Sequence, residues 1–393
     1  MSEKNNSYGK RNITFCKKCL VPNSRPRITF DQNGICNACN YLALRKKINW
    51  KERKDELKEI LNQNRSKKGN YDCIVPWSGG KDSSAIAYKL KFEYKMNPLL
   101  VTFAPLIPTE VGFKNRESLV KLGFDNYYFR PNQNASRLLS KRFFIERGDP
   151  KVHWTCGIKS IPLKVAIEKK IPLVFYAEHG ESHYGGNPLH EKSSMLLDLD
   201  EVYENNIGDD SKNWVDGQIS QSDIQPYLLP EQEELEKAKI KPYFFAYFDK
   251  WNVQANYEFI KKKINFTTHP KGRTPGTFTN FDSLDDHIDQ VYYYMQYIKF
   301  GFGRATRDAS RQIQNDLINK KEYLEYVKKY DSEVTTDDIL HFCSYADISL
   351  AEFPEIVDKH RNSEIWKKTG NGWELKFNLN NENIINLSRR SSA

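Results

Sequence analysis

The chain has 393 residues, of which 39% are hydrophobic and 13% aromatic, a composition that supports two or three packed domains and excludes a disordered chain. Its apolar runs are too short to cross a membrane and its first residues are polar, so the sequence predicts a cytoplasmic protein without a membrane partner. The formal charge of +9 is concentrated at one end, because residues 1–70 hold 17 Lys+Arg against 6 Asp+Glu.

Four cysteines near the N-terminus have the spacing of a metal site. Cys16, Cys19, Cys36 and Cys39 form two Cys-x2-Cys pairs separated by sixteen residues. Two such pairs bring four thiolates to the tetrahedral geometry that Zn²⁺ prefers. Disulfides are the competing interpretation, but no secretory signal accompanies them. The sequence therefore predicts a structural zinc module over residues 1–45, with an iron–sulfur cluster as the alternative.

A basic helix and a linker are predicted over residues 46–70. Their positive charge suits RNA, an acidic partner subunit or an anionic substrate. A solvated charged helix is an equally good interpretation, and charge alone does not separate these possibilities.

The next segment reads as a phosphate-binding turn between a strand and a helix. Its residues are Ser78, Gly79, Gly80, Lys81, Asp82, Ser83 and Ser84. Glycines let the backbone approach a ligand closely, and a helix N-terminus favours an anion. The spacing differs from the P-loop of kinases and GTPases. It is similar to the SGG-x-DS loop of the PP-loop ATP pyrophosphatases, which split ATP into AMP and pyrophosphate.

Strand and helix candidates alternate through residues 71–240. The predicted strands are Cys73–Val75, Leu99–Phe103, Tyr127–Phe129 and Leu173–Ala177. This alternation predicts an α/β fold, a parallel sheet with helices on both faces and ligands at the carboxyl ends of the strands. A polar insertion is predicted at about 186–240, and residues 241–393 are predicted to be mostly helical, with one of the helices over Asp282–Phe300.

The turn after the fourth strand carries several polar side chains. Its His179-Gly-Glu181-Ser-His183 order differs from the H-E-x-x-H of zinc proteases, so we reject that class. A carboxylate here, facing the phosphate loop, can hold Mg²⁺ on ATP or orient a nucleophile. Glu178 is the first candidate and Glu181 the second, although either could be an ordinary loop carboxylate. The roles of the two histidines stay open.

A glycine-rich turn joins two helix candidates further along. It is flanked by Lys299 and Arg304, and basic residues beside a helix N-terminus suit a phosphate or carboxylate. A helix linker whose basic residues face water is the alternative.

Together these motifs resemble the PseA/WbpG-type N-acetyl sugar amidotransferases, a branch of the PP-loop (adenine nucleotide α-hydrolase-like) superfamily. The resemblance covers about residues 14–330. It lies in the segments 16–26, 34–39, 77–83, 178–186 and 299–310.

The resemblance implies an ATP-dependent, C–N ligase-like reaction. ATP with Mg²⁺ adenylylates the oxygen of an acetamido group on a bacterial surface-polysaccharide sugar or a nonulosonic acid. Ammonia then displaces AMP and leaves an acetamidino group. The implied catalytic residues are Lys81, Asp82 and Glu178, and those that bind the sugar are Glu181, Lys299 and Arg304. The particular sugar and the oligomeric state stay open.

The ammonia source is expected to lie outside this chain. A glutaminase elbow resembling G-x-C-x-G would need glycine where Trp154 precedes Cys156, and an N-terminal nucleophile would need cysteine where Ser2 stands. We therefore expect a partner glutaminase, with or without a synthase-like subunit that delivers ammonia.

Enzymes that thiolate tRNA are the rival interpretation, because they combine a similar zinc module with the same kind of loop. In that case the basic N-terminal segment binds RNA phosphates, and Cys156 and Cys343 transfer sulfur. These two cysteines lie far apart in the sequence and form no Cys-x-x-Cys motif. Thiolation and a nucleic-acid partner are therefore the less favoured hypothesis, followed by a nucleotide-sensing scaffold.

Overall fold

A five-stranded sheet lies at the centre of the computed structural model, which describes residues 12–187, 194–208 and 210–377. The strand order is β3-β2-β1-β4-β5, and every neighbouring pair is parallel. The strands are β1 Cys73–Pro76, β2 Pro98–Phe103, β3 Asp125–Phe129, β4 Leu173–Tyr176 and β5 Lys241–Phe244. An antiparallel hairpin follows near the C-terminus, formed by β6 Trp366–Thr369 and β7 Gly372–Leu375.

The helices before β5 connect and cover the strands. They are α1 Asn37–Arg45, α2 Trp50–Gln63, α3 Lys81–Tyr88, α4 Glu110–Val120, α5 Gln133–Arg147, α6 Val152–Lys169, α7 Gly180–Tyr184, α8 Leu199–Val202, α9 Gln221–Ile224 and α10 Gln232–Lys237. The helices after β5 are α11 Val253–Lys261, α12 Ile288–Phe300, α13 Arg304–Gln314, α14 Lys320–Tyr330, α15 Thr336–Ala346 and α16 Glu352–Lys359. Within the described ranges, none of these helices has the length and apolar character needed to span a bilayer.

Alternating residues of the strands enter two different cores. Ile74 and Val174 face one core, in which the apolar side chains of α6 also lie. Val75 and Phe175 face the other, which α3 and α11 complete. Strands buried on both faces are typical of parallel sheets. The predicted α/β sheet with helices on both faces is confirmed, as are the four-cysteine cluster and the helical C-terminal region.

Two elements differ from the sequence-based expectation. β5 pairs with β4 as a fifth strand, so the sheet continues into the region expected to be mostly helical. The helix expected from residue 282 begins only at Ile288, because Asp286 instead accepts hydrogen bonds from the backbone N–H groups of Leu106, at 2.7 Å, and Ile107, at 2.9 Å. This contact ties the segment before α12 to the loop after β2.

Candidate active site

The four N-terminal cysteines converge on one point. All four Sγ atoms lie within 4.8 Å of one another, with Cys16 3.9 Å from Cys39 and Cys19 3.6 Å from Cys36. The four side chains are fully buried, and every cysteine in the described residues is a free thiol. These separations are too long for disulfides, in which the sulfurs are about 2.05 Å apart. The cluster is a four-cysteine metal-binding group.

The cysteine module docks onto the turn after β4 and onto the end of α12. Arg27 donates to both carboxylate oxygens of Glu181, at 2.8 and 2.7 Å. The Ser24 hydroxyl donates to the carbonyl of Phe300 over 2.7 Å. Glu181 also accepts the backbone N–H of Asn187 at 2.9 Å, and the net effect of its partners, against its burial, is a lowered pKa. Both of its oxygens are thus bonded within the protein, and its role as a sugar ligand stays a prediction.

The phosphate loop has the backbone geometry that the sequence predicts. Gly79 has a φ of +95°, and a Cβ at this position would lie 2.7 Å from Cγ of Arg116. Arg116 in turn donates to the carbonyl of Ser78 over 3.2 Å. Gly80 is the N-cap of α3 and supplies no side chain to its first turn. The first N–H groups of α3 are therefore open to an anion, as in phosphate-binding helix termini.

Lys81, the first residue of α3, is buried among acidic partners. Its Nζ donates to Asp82 over 2.8 Å and also contacts Asp282, while Asp82 accepts the Asn256 amide over 2.9 Å. Burial alone would lower the pKa of Lys81, but the charges of Asp282 and Asp82 raise it. Burial would likewise raise the pKa of Asp282, but Lys81 and Arg304 lower it to about 2. Both groups are therefore ionised at neutral pH.

Glu178 lies at the end of β4, within electrostatic reach of this cluster. The Tyr184 hydroxyl donates to its Oε1 over 2.5 Å. Burial and the charge of Asp82 raise the pKa of Glu178, and this outweighs the hydrogen bond from Tyr184. The carboxyl group can consequently hold a proton at a higher pH than an ordinary glutamate. The structure thus brings the three predicted catalytic residues together.

The two histidines of the turn have partners within the protein. His179 Nε2 lies 2.6 Å from Glu201, and its Nδ1 lies 2.8 Å from the Ser182 hydroxyl. His183 Nδ1 lies 3.1 Å from the carbonyl of His179, and burial lowers the pKa of His183 to about 3. A buried neutral imidazole and a histidine–carboxylate pair hold the turn that carries Glu178.

Lys299 and Arg304 lie in different surroundings. Lys299 lines a cleft of about 900 Å³ together with Arg25 and Arg27, and its Nζ donates to the carbonyl of Arg147 over 3.0 Å. Arg304 is 1% exposed and lies behind Asp282, whose pKa it lowers. The structure therefore separates the two predicted sugar ligands, with Lys299 on an open wall and Arg304 inside the protein.

The N-terminus of α13, which begins with Arg304, is already occupied. Asp331 accepts hydrogen bonds from the backbone N–H groups of Gly303 and Thr306, both at 2.7 Å. Burial raises the pKa of Asp331 to about 6. The anion expected at this helix end is a side chain of the protein itself.

Three adjoining cavities run along the carboxyl edge of the sheet. The first, of about 810 Å³, has Ser78 and Ser83 of the loop and Tyr176 of β4 on its walls. The second, of about 640 Å³, shares Lys159 and Glu178 with the first. The third is the cleft that Lys299 lines, and it shares Thr155 and Asn205 with the second. The three cavities are therefore neighbours, in this order, from the phosphate loop to the Lys299 cleft.

Sequence reasoning missed three residues of this site: Asp282, Asn256 and Lys159. Asp282 and Asn256 lie far from the loop along the chain and belong to no short motif. Lys159 lies in the middle of α6, where a lysine usually indicates a solvated helix face. Only the packing of α6, of α11 and of the segment before α12 against the sheet brings them to the loop.

Part of the chain is similar to a described protein family. Residues 275–379 match the family model described as "LPS biosynthesis protein WbpG-like, C-terminal domain". The matched stretch contains Asp282, Lys299 and Arg304, together with α12 to α16 and the hairpin.

Two further proteins are similar to parts of this chain. An uncharacterized protein of Methanocaldococcus jannaschii is 34% identical over 87 residues, which is 22% of this chain and 31% of that protein. The alignment thus spans about a third of that relative. Among solved structures, the U34-tRNA thiolase NcsA from Methanococcus maripaludis with its 4Fe-4S cluster aligns over 67% of this chain and 77% of its own, with 14% identity and a TM-score of 0.29.

Proposed function

We propose that this chain is an ATP-dependent N-acetyl sugar amidotransferase that forms AMP and pyrophosphate. One contact carries the proposal. Asp282, which lies in the stretch that matches the WbpG-like family, pairs with Lys81 of the phosphate loop. This contact joins the stretch that is similar to the WbpG-like family to the phosphate loop, and it supports the proposal that both contribute to one site.

In the proposed reaction, the acetamido oxygen attacks the α-phosphorus of ATP and pyrophosphate leaves. The open N–H groups of α3 and the charged Lys81 would stabilise the negative charge on the departing phosphates. Asp82 would hold Mg²⁺, for which carboxylate oxygens are suitable ligands. Ammonia then adds to the activated carbon, and AMP departs with the oxygen, which leaves an acetamidino group.

The order of the three cavities supports an arrangement for the two substrates. The first cavity combines loop hydroxyls with apolar and aromatic walls from Val101, Phe103 and Tyr176, which suits a nucleotide. The Lys299 cleft is rich in basic side chains, which suits an anionic sugar. Glu178 lies between them and can accept or deliver a proton during the attack of ammonia.

We propose that the four-cysteine group holds Zn²⁺ in a structural role. Tetrahedral zinc with bonds of about 2.3 Å separates its sulfurs by about 3.8 Å, close to the 3.6 and 3.9 Å found here. In a four-iron cluster each thiolate binds a different iron, so the sulfurs would lie farther apart. Four protein ligands leave no open position for catalysis.

Ammonia would come from a partner glutaminase. Cys156, which has the histidine His153 nearby in sequence, is fully buried within α6, and burial raises the pKa of its thiol. Such a thiol is a poor nucleophile. Cys156 and Cys343 also belong to different cores, which disfavours the sulfur-transfer pair of the rival hypothesis.

ATP/pyrophosphate exchange tests the proposal. Exchange should depend on an acetamido sugar, and with ammonium the product should be lighter by the difference between O and NH. Glutamine should replace ammonium only when a glutaminase partner is added. Exchange stimulated by tRNA instead of the sugar would favour thiolation, and no exchange with any acceptor would contradict the proposal.

A further inference from the structure

Lys159 has the most unusual position among the basic residues of the site. Of the residues on the cavity walls, Lys159 and Glu178 are the two that line both the first and the second cavity. They therefore mark the waist between the space beside the phosphate loop and the space next to the Lys299 cleft. In the proposed reaction, the α-phosphorus must lie at such a boundary, because nucleotide and sugar react there.

The ammonium group of Lys159 lies against two aromatic rings and donates no hydrogen bond to another described residue. Its Nζ lies 4.5 Å from the ring centre of Tyr176 and 5.9 Å from that of Phe244. Over the described ranges, this Nζ has no hydrogen-bond or ion-pair partner in the structure. Lys81 and Lys151, by contrast, each contact a carboxylate. An ammonium with three unused donors on a cavity wall is available to an acceptor on a ligand.

The backbone of α6 holds Lys159 in this place. The Tyr176 hydroxyl donates to the carbonyl of Lys159 over 3.0 Å, which joins α6 to β4. Pro162 lies within α6 and has no N–H group, so it donates no hydrogen bond to the carbonyl of Ile158 one turn earlier. Ile158 and Pro162 line the same cavity, so Lys159 projects from a helical turn that is fixed against the site.

The charged groups around the waist leave Lys159 poorly compensated. Burial lowers the pKa of Lys159 to about 8. The negative charge of Glu178 acts in the opposite direction but does not offset the effect of burial. The other titratable groups of the second cavity have partners of their own: His179 pairs with Glu201, Glu181 with Arg27, and Asp198 caps α8.

We propose that Lys159 is a catalytic residue that binds the α-phosphate of the nucleotide at the waist between the two cavities. This inference rests on the proposed function. A phosphate oxygen would satisfy the unused donors of Lys159, and its charge would hold the ammonium form. Lys159 would then stabilise the α-phosphate while the acetamido oxygen attacks and again when AMP leaves.

A thermodynamic signature follows from this contact. Near pH 8 the free protein holds Lys159 only partly protonated, and a bound phosphate raises its affinity for the proton. Nucleotide binding at pH 8 should therefore take up about half a proton, whereas at pH 6 it should take up almost none because Lys159 is already charged.

Calorimetric titration with the non-hydrolysable analogue α,β-methylene-ATP and Mg²⁺ tests the inference. Heats measured in two buffers of different ionisation enthalpy give the number of protons taken up. Lys159→Met should abolish the uptake and weaken binding by about tenfold or more. Lys159→Arg should retain most of the affinity without uptake, because arginine stays charged.

Lys164→Met is the matched control. Lys164 lies on the same helix, and its Nζ donates to the carbonyl of Gln225 over 2.5 Å, away from the cavities. This variant should bind and take up protons like the wild type. If the wild type binds without uptake, or Lys159→Met retains it, the inference is wrong while the proposed function stands. If the analogue does not bind to the wild type, the proposed function fails and the inference with it.

Discussion

Two carboxylates, Asp82 and Asp282, hold Lys81 at the start of α3. Because their charges outweigh burial, Lys81 stays protonated throughout the neutral range. A pH dependence of the reaction near neutrality should therefore come from other groups at the waist. Glu178 and Lys159 are the candidates, because burial moves the pKa of each toward neutrality.

Replacing Asp282 tests the contact on which the proposed function depends. Asp282→Asn removes a charge that balances both Lys81 and Arg304, so the geometry and charge of the loop should change. We expect sugar-dependent ATP/pyrophosphate exchange to fall by about tenfold or more, since an unbalanced buried charge is costly. Asp249→Asn is the control: it breaks the 2.5 Å pair with Lys89 at the far end of α3 and should leave exchange unchanged. Equal losses in both variants would contradict the assignment.

The buried side chain of His153 makes the stability of the protein depend on pH. It is fully buried beside the Ser136 hydroxyl at 3.1 Å, and burial lowers its pKa to about 3. The unfolded chain binds a proton below about pH 6.5 whereas the folded chain does not, so stability falls as the pH drops. As the pH falls from 6.5 to 4.5, the unfolding free energy of the wild type should drop by about 2 kcal/mol more than that of His153→Gln. Urea denaturation at the two pH values measures this difference.

Asp331 acts with the opposite sign in this range. Its pKa is raised to about 6, so the folded state binds its proton first and gains stability as the pH falls toward about 4. The contribution is the same in the wild type and in His153→Gln, and it cancels in their difference. If the unfolding free energies of the two proteins changed identically with pH, His153 would not titrate as proposed.

At the level of elements, the turn between β1 and α3 depends on a glycine that other residues cannot replace. Gly79→Ala would force a left-handed conformation on alanine and would place its Cβ 2.7 Å from Arg116. We expect binding of α,β-methylene-ATP to be lost while the protein still folds. Gly69→Ala has a similar φ of +75° with no atom within 4 Å, so it should cost about 1 kcal/mol of stability and leave binding intact. Retained binding in Gly79→Ala would refute a tight phosphate turn.

The elements that the sequence predicted well are those with a local signal. β1, the glycine turn and α3 follow one another with clear apolar and turn residues, and the four predicted strands all exist. β5 was missed because Lys241 and Pro242 weaken its strand signal, although an edge strand tolerates proline. The start of α12 was missed because the backbone contacts of Asp286 are tertiary. The contact between Lys81 and Asp282 is equally invisible in a single sequence.

At the level of the whole molecule, the cysteine module is joined to the turn that carries Glu178 through Arg27 and Glu181. Loss of the metal should therefore affect catalysis as well as folding. Cys36→Ser should lose one equivalent of zinc, as measured by atomic emission, together with most of the exchange activity. Cys343→Ser changes a buried cysteine outside the module and should retain both. Full exchange activity in a metal-free Cys36→Ser protein would show that the module is independent of the site.

Asp331 at the N-terminus of α13 also bears on inhibition by small anions. Phosphate and sulfate are abundant in solution, and a helix end without a cap attracts them. The carboxylate of Asp331 already fills this position at α13, whereas α3 has no side-chain cap. If the chain catalyses the proposed reaction, added pyrophosphate should bind at α3 and inhibit competitively with ATP, and its inhibition constant should be unaffected by changes at α13.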